Sequence, residues 1–315
     1  MKKDFLSMAD LSSLEVEELF KLTDRLKKSP YNHSLQDKVI VLFFEKPSTR
    51  TRISFEAGIS HLGGKSIYVD ATTTQMSRGE TVEDTARTVG RFVDAIVARV
   101  YRHETLVRLA ENSRVPVVNA LSDLEHPCQA LADLYTMRER VGDLSMVKVA
   151  FVGDGNNVCN SLMLGSAIAG NRFAAATPAR YAPDMNVITQ AKKSGGNRIE
   201  LVTEPEEAVK DASFVYTDVF VSMGDEAERT QRLKAFLPKY QVNEVLMAKA
   251  RNGAFFMHCL PAHRGEEVTA EVIDGPRSIV FDQAENRMHV QKALLTMLLG
   301  RQPSNLPNNH SGSKG

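Results

Sequence analysis

Val39-Ile40-Val41-Leu42-Phe43, followed by Phe44-Glu45-Lys46-Pro47-Ser48-Thr49-Arg50-Thr51-Arg52, is the stretch that decides the architecture. The apolar run shows no alternation, as expected of a strand covered on both faces. Beyond the loop, Ile53-Ser54-Phe55-Glu56-Ala57-Gly58-Ile59-Ser60-His61-Leu62 is apolar at 55, 59 and 62 and stops at Gly63-Gly64, the pattern of a helix with a glycine end. Three hydroxyls (Ser48, Thr49, Thr51) and two guanidinium groups (Arg50, Arg52) therefore sit at a strand-to-helix junction. The first backbone N–H groups of a helix lack intrahelical partners and its dipole favours an anion there. Hydroxyls, amides and arginine forks are suited to phosphate oxygens. No G-x-x-x-x-G-K-[ST] run occurs, so this is not a P-loop. The plainer alternative is a serine N-cap followed by solvated arginines.

The same strand–helix alternation extends outward on both sides. Upstream, Ser12 and Glu15 have capping-box spacing for a helix with Leu19, Leu22 and Leu26 on one face, ending before Pro30. Downstream, 65–69 reads as a strand, 71–80 as a polar loop containing Gln75, and 82–92 as a helix. Asp94–Arg99 and Pro116–Asn119 read as further strands, and the chain from Leu121 to about Arg140 as a helix. Val141-Gly142-Asp143 breaks that pattern. The second half restarts it, with strands expected at 147–152, 172–176, 198–202, 213–217, 254–257 and 278–281 and a last helix from Ala284 to Leu299. The expected fold is α/β: two doubly wound parallel-sheet domains joined by interdomain helices, with ligands at the carboxyl ends of the strands. Residues 1–140 form the first domain and 141–283 the second, with helix 284–300 returning to the first and a 301–315 tail expected to be disordered.

The bulk composition agrees. A length of 315 residues suits two domains of about 150 each. The 39 basic and 39 acidic residues leave no net charge, which argues against nucleic acid or an anionic membrane as partner. No apolar run approaches the roughly 20 residues of a membrane helix, and the start resembles no secretory or transit peptide. Cys128, Cys159 and Cys259 are widely separated and form no C-x-x-C, so a disulfide framework and structural zinc are not expected and a reducing cytoplasm is.

Four further stretches carry polar groups at strand or helix ends. Gly153-Asp154-Gly155 follows a strand, but Val158 stands where a dinucleotide fingerprint needs its third glycine, and Ala176-Thr177-Pro178 where it needs an acid. A tight turn presenting Asn157 at a helix start fits better. His126-Pro127-Cys128-Gln129 places a histidine where it is either a satisfied structural residue or, near an anion, a donor to a carbonyl oxygen. Asp218 and Ser222-Met223 follow the strand at 213–217, and a carboxylate with a hydroxyl there can take an α-ammonium group; the charged 225–229 segment after them is either a solvated loop or a moving part. His258-Cys259-Leu260-Pro261-Ala262-His263-Arg264-Gly265-Glu266-Glu267 follows an apolar strand that aims Cys259 and the Leu260 carbonyl into the same crevice. Zinc on His258, Cys259 and His263 lacks the usual spacing and a fourth ligand.

Ser-Thr-Arg-Thr-Arg at 48–52 resembles the phosphate-holding signature of the carbamoyltransferases, and His-Pro-Cys-Gln at 126–129 is similar to their carbamoyl-holding motif. The Ser-Met-Gly loop and the His-Cys-Leu-Pro-Ala-His-Arg-Gly-Glu-Glu run resemble the ornithine branch, over nearly everything from about residue 5 to 300. The resemblance implies transfer of a carbamoyl group from carbamoyl phosphate to L-ornithine, giving L-citrulline and phosphate in arginine metabolism, without metal or organic cofactor. It implies that Ser48, Thr49, Arg50 and Thr51 hold the phosphate with Arg99 and Arg287, and that the His126-Pro127-Cys128-Gln129 turn and Thr51 hold the carbamoyl group. Asn157, Asp218, Ser222 and Met223 would take the ornithine backbone, with Cys259 and Leu260 beside the attacking amine. An acyl phosphate is already activated, so Cys259 is expected to position the amine rather than attack as a nucleophile. Gln75 is expected to reach a neighbouring subunit's site, which implies a trimer or a multiple of one. Asp70-Ala71-Thr72-Thr73-Thr74 is the least familiar part of that loop. The rivals are a carbamoyltransferase for acetylornithine, putrescine or lysine, and a catalytically silent homologue.

Overall fold

A computed structural model describes residues 3–222, 224 and 226–300; Met223 and the 301–315 tail lie outside these. The described residues form two parallel sheets with helices on their faces. The first contains β1 (Val39–Phe44), β2 (Lys65–Asp70), β3 (Ala95–Arg99) and β4 (Val117–Leu121) in the order β2-β1-β3-β4. Around it lie α1 (Ser13–Lys28), α2 (Thr49–His61), α3 (Val82–Val89) and α4 (His103–Asn112). Helix α5 (Pro127–Val141) leads to the second sheet. That sheet contains β5 (Lys148–Val152), β6 (Arg172–Ala176), β7 (Ile199–Val202), β8 (Phe214–Tyr216) and β9 (Phe255–Met257), in the order β7-β6-β5-β8-β9. Its helices are α6 (Asn157–Ala169), α7 (Met185–Gly195), α8 (Pro205–Val209), α9 (Arg229–Phe236), α10 (Glu244–Met247) and α11 (Ala270–Ile273), before α12 (Val280–Leu299) closes the chain. None of the described helices is long and apolar enough to cross a membrane.

Both sheets are doubly wound, and strand order sets the position of the site. In the first, the chain runs from β1 outward to β2 and then returns to add β3 on the other side. In the second it runs β5-β6-β7 and returns to add β8 and β9. The connections leaving β1 and β3, and those leaving β5 and β8, therefore diverge to opposite faces and leave a crevice at the carboxyl ends of each pair. Phe44 and Arg99 are register partners at the end of the first pair, so Arg99 stands beside the 45–48 loop.

One hydrophobic cluster joins the sheets. Phe44 of the first sheet, Phe55 of α2, Leu131 and Leu134 of α5, Phe151 and Phe214 of the second sheet and Val290 and Leu294 of α12 belong to it. Helix α12 packs on α1, α2 and α5, although it follows the second sheet in sequence. Each fully buried Leu or Phe side chain contributes on the order of 2 kcal/mol. The return of α12 is thus held by its apolar face, and Arg287 and Lys292 are carried into the interior with it.

The structure departs from the expected elements in several places. Residues 278–281 do not form a strand: Ser278 makes one bridge to Phe256, and α12 begins at Val280 rather than Ala284. Leu121 ends β4, and the helix expected from there begins at Pro127, because a proline disfavours the helical conformation in the residue before it and suits the first helical position itself. The helix expected over 82–92 ends at Val89, where Gly90 caps it. Residues 103–112, given no element from sequence, form α4.

Candidate active site between the two sheets

The carboxyl ends of β1, β3, β5, β8 and β9 surround a cleft of about 530 Å³. Its first wall is cationic. Ser48 caps α2, its Oγ accepting the Thr51 N–H at 3.3 Å. Thr51 is fully buried, and its Oγ1 takes Arg287 Nη2 at 2.8 Å. Arg50, Arg99 and Arg287 all line the cleft, and none of the three is ion-paired among the described residues. Burial, with Arg287 and Arg50 nearby, lowers the Arg99 guanidinium to about 10. Burial also lowers Arg287. The Nε atoms of Arg99 and Arg287 are buried with no hydrogen-bond partner among the described residues. Three converging guanidinium groups without a carboxylate repel one another and leave donors unused, an arrangement that an anion relieves.

The floor is the start of α5. His126 is its N-cap and only 4% exposed, with its N–H donated to Ser161 Oγ at 2.9 Å and its Nδ1 without a partner among the described residues. Burial first, then Arg287 and Arg99, holds this imidazole well below the ordinary histidine range, so it is neutral at physiological pH. A neutral ring keeps one N–H to offer an oxygen that gains charge. Pro127, Cys128 and Gln129 are buried beneath His126 and do not line the cleft. Burial drives the Cys128 thiol up to about 12. Cys128 Sγ donates to the Asn119 carbonyl at 3.3 Å.

The opposite wall belongs to the second sheet. Gly155 turns the chain so closely against 181–183 that a Cβ on it would lie 2.3 Å from Pro183 N. Asn156 then caps α6 and donates from Nδ2 to Asp218 Oδ2 at 2.7 Å. Asn157 lines the cleft and donates to the Ser122 carbonyl at 2.6 Å. Asp218 Oδ1 accepts from Cys259 Sγ at 3.1 Å. Burial first, then Asp218, pushes the Cys259 thiol well above its usual range, so it stays protonated. Leu260 adopts a left-handed backbone (φ 59°) and its N–H donates to His258 Nδ1 at 2.9 Å. Ligand atoms of Asp218, His258 and Cys259 lie within 4.8 Å of one another, close enough for a metal. Hydrogen bonds already engage Asp218, Cys259 and His258 Nδ1, and His258 Nε2 faces Glu267 Oε1 at 3.3 Å.

The tertiary structure thus places Ser48, Thr49, Arg50, Thr51, Arg99, His126, Asn157, Asp218, Ser222, Cys259, Leu260 and Arg287 around one space. Gln75 is exposed on a short turn (Gln75–Arg78) and lines no part of it. Met223 lies outside the described residues. Lys46 and Arg229, given no role from sequence, also line the cleft, as does His263, which the sequence reading weighs only as a zinc ligand. Asn156 has no expected role from sequence, although the N-cap preference for asparagine is a local signal for it.

A cationic crevice at one switch point facing a carboxylate at another defines a two-sheet transferase for an anionic donor. Residues 3–139 match the aspartate/ornithine carbamoyltransferase carbamoyl-P binding domain, and residues 145–298 the Asp/Orn binding domain of the same family. The chain belongs to the aspartate/ornithine carbamoyltransferase family. Within it, the chain is 51% identical to the ornithine carbamoyltransferase of Methanoculleus marisnigri, over 95% of this chain and 97% of that one. It is 52% identical to that of Carboxydothermus hydrogenoformans, over 95% and 98%. The solved ornithine carbamoyltransferase of Pyrococcus furiosus superposes with a TM-score of 0.91 at 47% identity, covering 94% of this chain and 97% of that one.

Proposed function

We propose that the chain transfers the carbamoyl group of carbamoyl phosphate to the side-chain amine of L-ornithine, giving L-citrulline and phosphate. One observation carries this reading: three guanidinium groups with no carboxylate partner among the described residues, Arg50, Arg99 and Arg287, face the Asp218–Cys259 pair across a single cleft. The phosphate takes the cationic wall, with Ser48, Thr49 and Thr51 donating from the start of α2. The carbamoyl oxygen lies near His126 and Thr51, and the carbamoyl nitrogen near Gln129. Asn157, Asp218, Ser222 and Met223 hold the ornithine backbone, and Cys259 with the Leu260 carbonyl orients the amine. The neutral amine attacks the carbonyl carbon and a tetrahedral oxyanion forms beside the donors; on its collapse the bond from the carbonyl carbon to the bridging oxygen breaks, and phosphate leaves with that bonding pair and takes up the proton the attacking nitrogen sheds. The donor arrives activated, so the chemistry requires no metal, organic cofactor or acyl-enzyme.

Residues 1–140 serve the donor and 141–283 the amino acid, with 284–300 completing the donor side through Arg287. The assembly is a homotrimer or a multiple of one, cytoplasmic, in which Gln75 serves a neighbour's site. Support comes from the exposed Gln75 turn, which follows edge strand β2, where Ile67 is 48% exposed. The test of the function is citrulline formation at saturating carbamoyl phosphate with ornithine against acetylornithine, putrescine and lysine. Ornithine is expected to exceed the others by orders of magnitude; equal turnover of another amine, or no turnover at all, overturns the reading.

A further inference from the structure

We propose that Asp133 is a positioning residue that fixes which end of the Gln129 amide is free, and so makes the site select an acyl phosphate bearing –NH2 over one bearing –CH3. The inference rests on the functional reading above and deepens it. The argument starts from a donor with no ambiguity, the backbone N–H of His258, which donates to Gln283 Oε1 at 3.0 Å. That contact turns the Gln283 nitrogen the other way, where Nε2 donates to Asp133 Oδ1 at 2.7 Å and to Tyr216 Oη at 3.0 Å. The same Asp133 oxygen accepts Gln129 Nε2 at 2.8 Å, one turn earlier on α5.

An amide whose nitrogen is held in this way can offer only its oxygen. Gln129 Oε1 is buried behind the floor of the cleft, has no hydrogen-bond partner among the described residues, and on the functional reading above is the group that meets the carbamoyl nitrogen. A buried acceptor without a partner is costly unless a ligand supplies a donor. A carbamoyl –NH2 has two hydrogens to donate, and an acetyl methyl has none. Asp133 itself is fully buried. Burial raises its carboxyl to about 7 against donation from Gln129, Gln283 and Tyr216. Those opposing donors are what an oxygen facing two amide nitrogens requires. With Gln129 on α5 and Gln283 holding the strand end before Cys259, one carboxylate oxygen ties the donor-side motif to the acceptor-side motif.

The test uses two inert phosphonates, phosphonoacetamide and acetonylphosphonate, which differ only in –NH2 against –CH3. Their affinities for the full-length protein are compared by calorimetry, beside melting temperatures. The unaltered protein is expected to prefer the amide by about tenfold or more. Asp133→Leu, which removes the acceptor, should bring the two within about threefold while leaving acetonylphosphonate binding nearly unchanged. Asp133→Asn keeps an oxygen for both amide nitrogens and should retain most of the preference. Gln283→Leu should lower the melting temperature and leave the preference in place. A folded leucine variant that keeps the full preference overturns the proposal, as does an asparagine variant that loses it or a Gln283→Leu variant that loses it as completely. If the leucine variant does not fold, Asp133→Ala also lacks the acceptor and is read the same way. Failure of the unaltered protein to make citrulline would sink the functional reading instead, whereas an active protein with no preference between the phosphonates sinks only the role of Asp133.

Discussion

Arg287 Nη2 donates to Thr51 Oγ1 at 2.8 Å across 236 positions of sequence. The last helix thus supplies a guanidinium to the first anion loop, and both groups are buried.

Arg287→Gln removes that cation from the phosphate wall. Hydrogen bonds to charged groups contribute about 1.5–3 kcal/mol, so the KM for carbamoyl phosphate should rise by roughly ten- to a hundredfold. The KM for ornithine should change far less. Steady-state kinetics with each substrate varied separately checks this, and an equal rise in both constants would place Arg287 outside the phosphate subsite.

Cys259→Ser keeps a donor to Asp218 and should reduce activity by about tenfold rather than abolish it, chiefly through the ornithine KM. The thiol is held protonated by burial and Asp218, so iodoacetamide should alkylate the native protein much more slowly than the unfolded chain at pH 8. A carbamoyl-enzyme trapped by rapid quench and seen by mass spectrometry would contradict the positioning role.

Activity should rise with pH on the acid side. His126 is held well below the ordinary histidine range by burial and by Arg287 and Arg99, so it stays neutral at physiological pH and supplies no ionisation to the acid limb there. The limb belongs to the ornithine amine, whose neutral fraction grows about tenfold per pH unit below its pKa. His126→Gln should therefore lower kcat by about a hundredfold while the acid limb of kcat/KM stays in place. A flat profile from pH 6 to 9 with chemistry rate-limiting would be incompatible with attack by a free amine.

Gly155→Ala forces a Cβ to within 2.3 Å of Pro183 N, a backbone atom that cannot swing aside. Overpacking of this kind costs about 1–3 kcal/mol, so the melting temperature should fall by several degrees. Since the turn carries Asn156 and Asn157, the ornithine KM should rise too, and an unchanged thermal scan would disprove the steric account.

A protein carrying Gln75→Ala, mixed and reassembled with one carrying Arg50→Ala, should regain activity above either parent if sites are shared between subunits. Mixed assemblies no more active than their parents would remove Gln75 from the site.

Much of the site was legible before any coordinates because its members sit at strand and helix ends, where residue type has a local cause. Ser48 caps α2 and Pro127 starts α5, both from preferences that act within a turn. The Ser12–Glu15 capping box forms as its spacing predicts. The strand expected at 278–281 failed because a short apolar run has the same composition in a strand or at the start of a buried helix, and only one bridge was available to it. Asp133 belongs to no motif, and its role lies in what it touches.

The amino-acid order alone determined the alternation of strands and helices, the anion loop and the motifs that mark the family, because periodicity, capping and backbone restriction operate over a few residues. Only the tertiary structure decided that Arg287 would meet Thr51, that Cys259 would face Asp218 as a protonated thiol, and that Gln129, Asp133 and Gln283 would share one oxygen. Those contacts depend on burying the apolar face of α12 against α1, α2 and α5 and on the doubling back of each sheet. Such packing sums many weak contacts from distant parts of the chain, and no short stretch contains it.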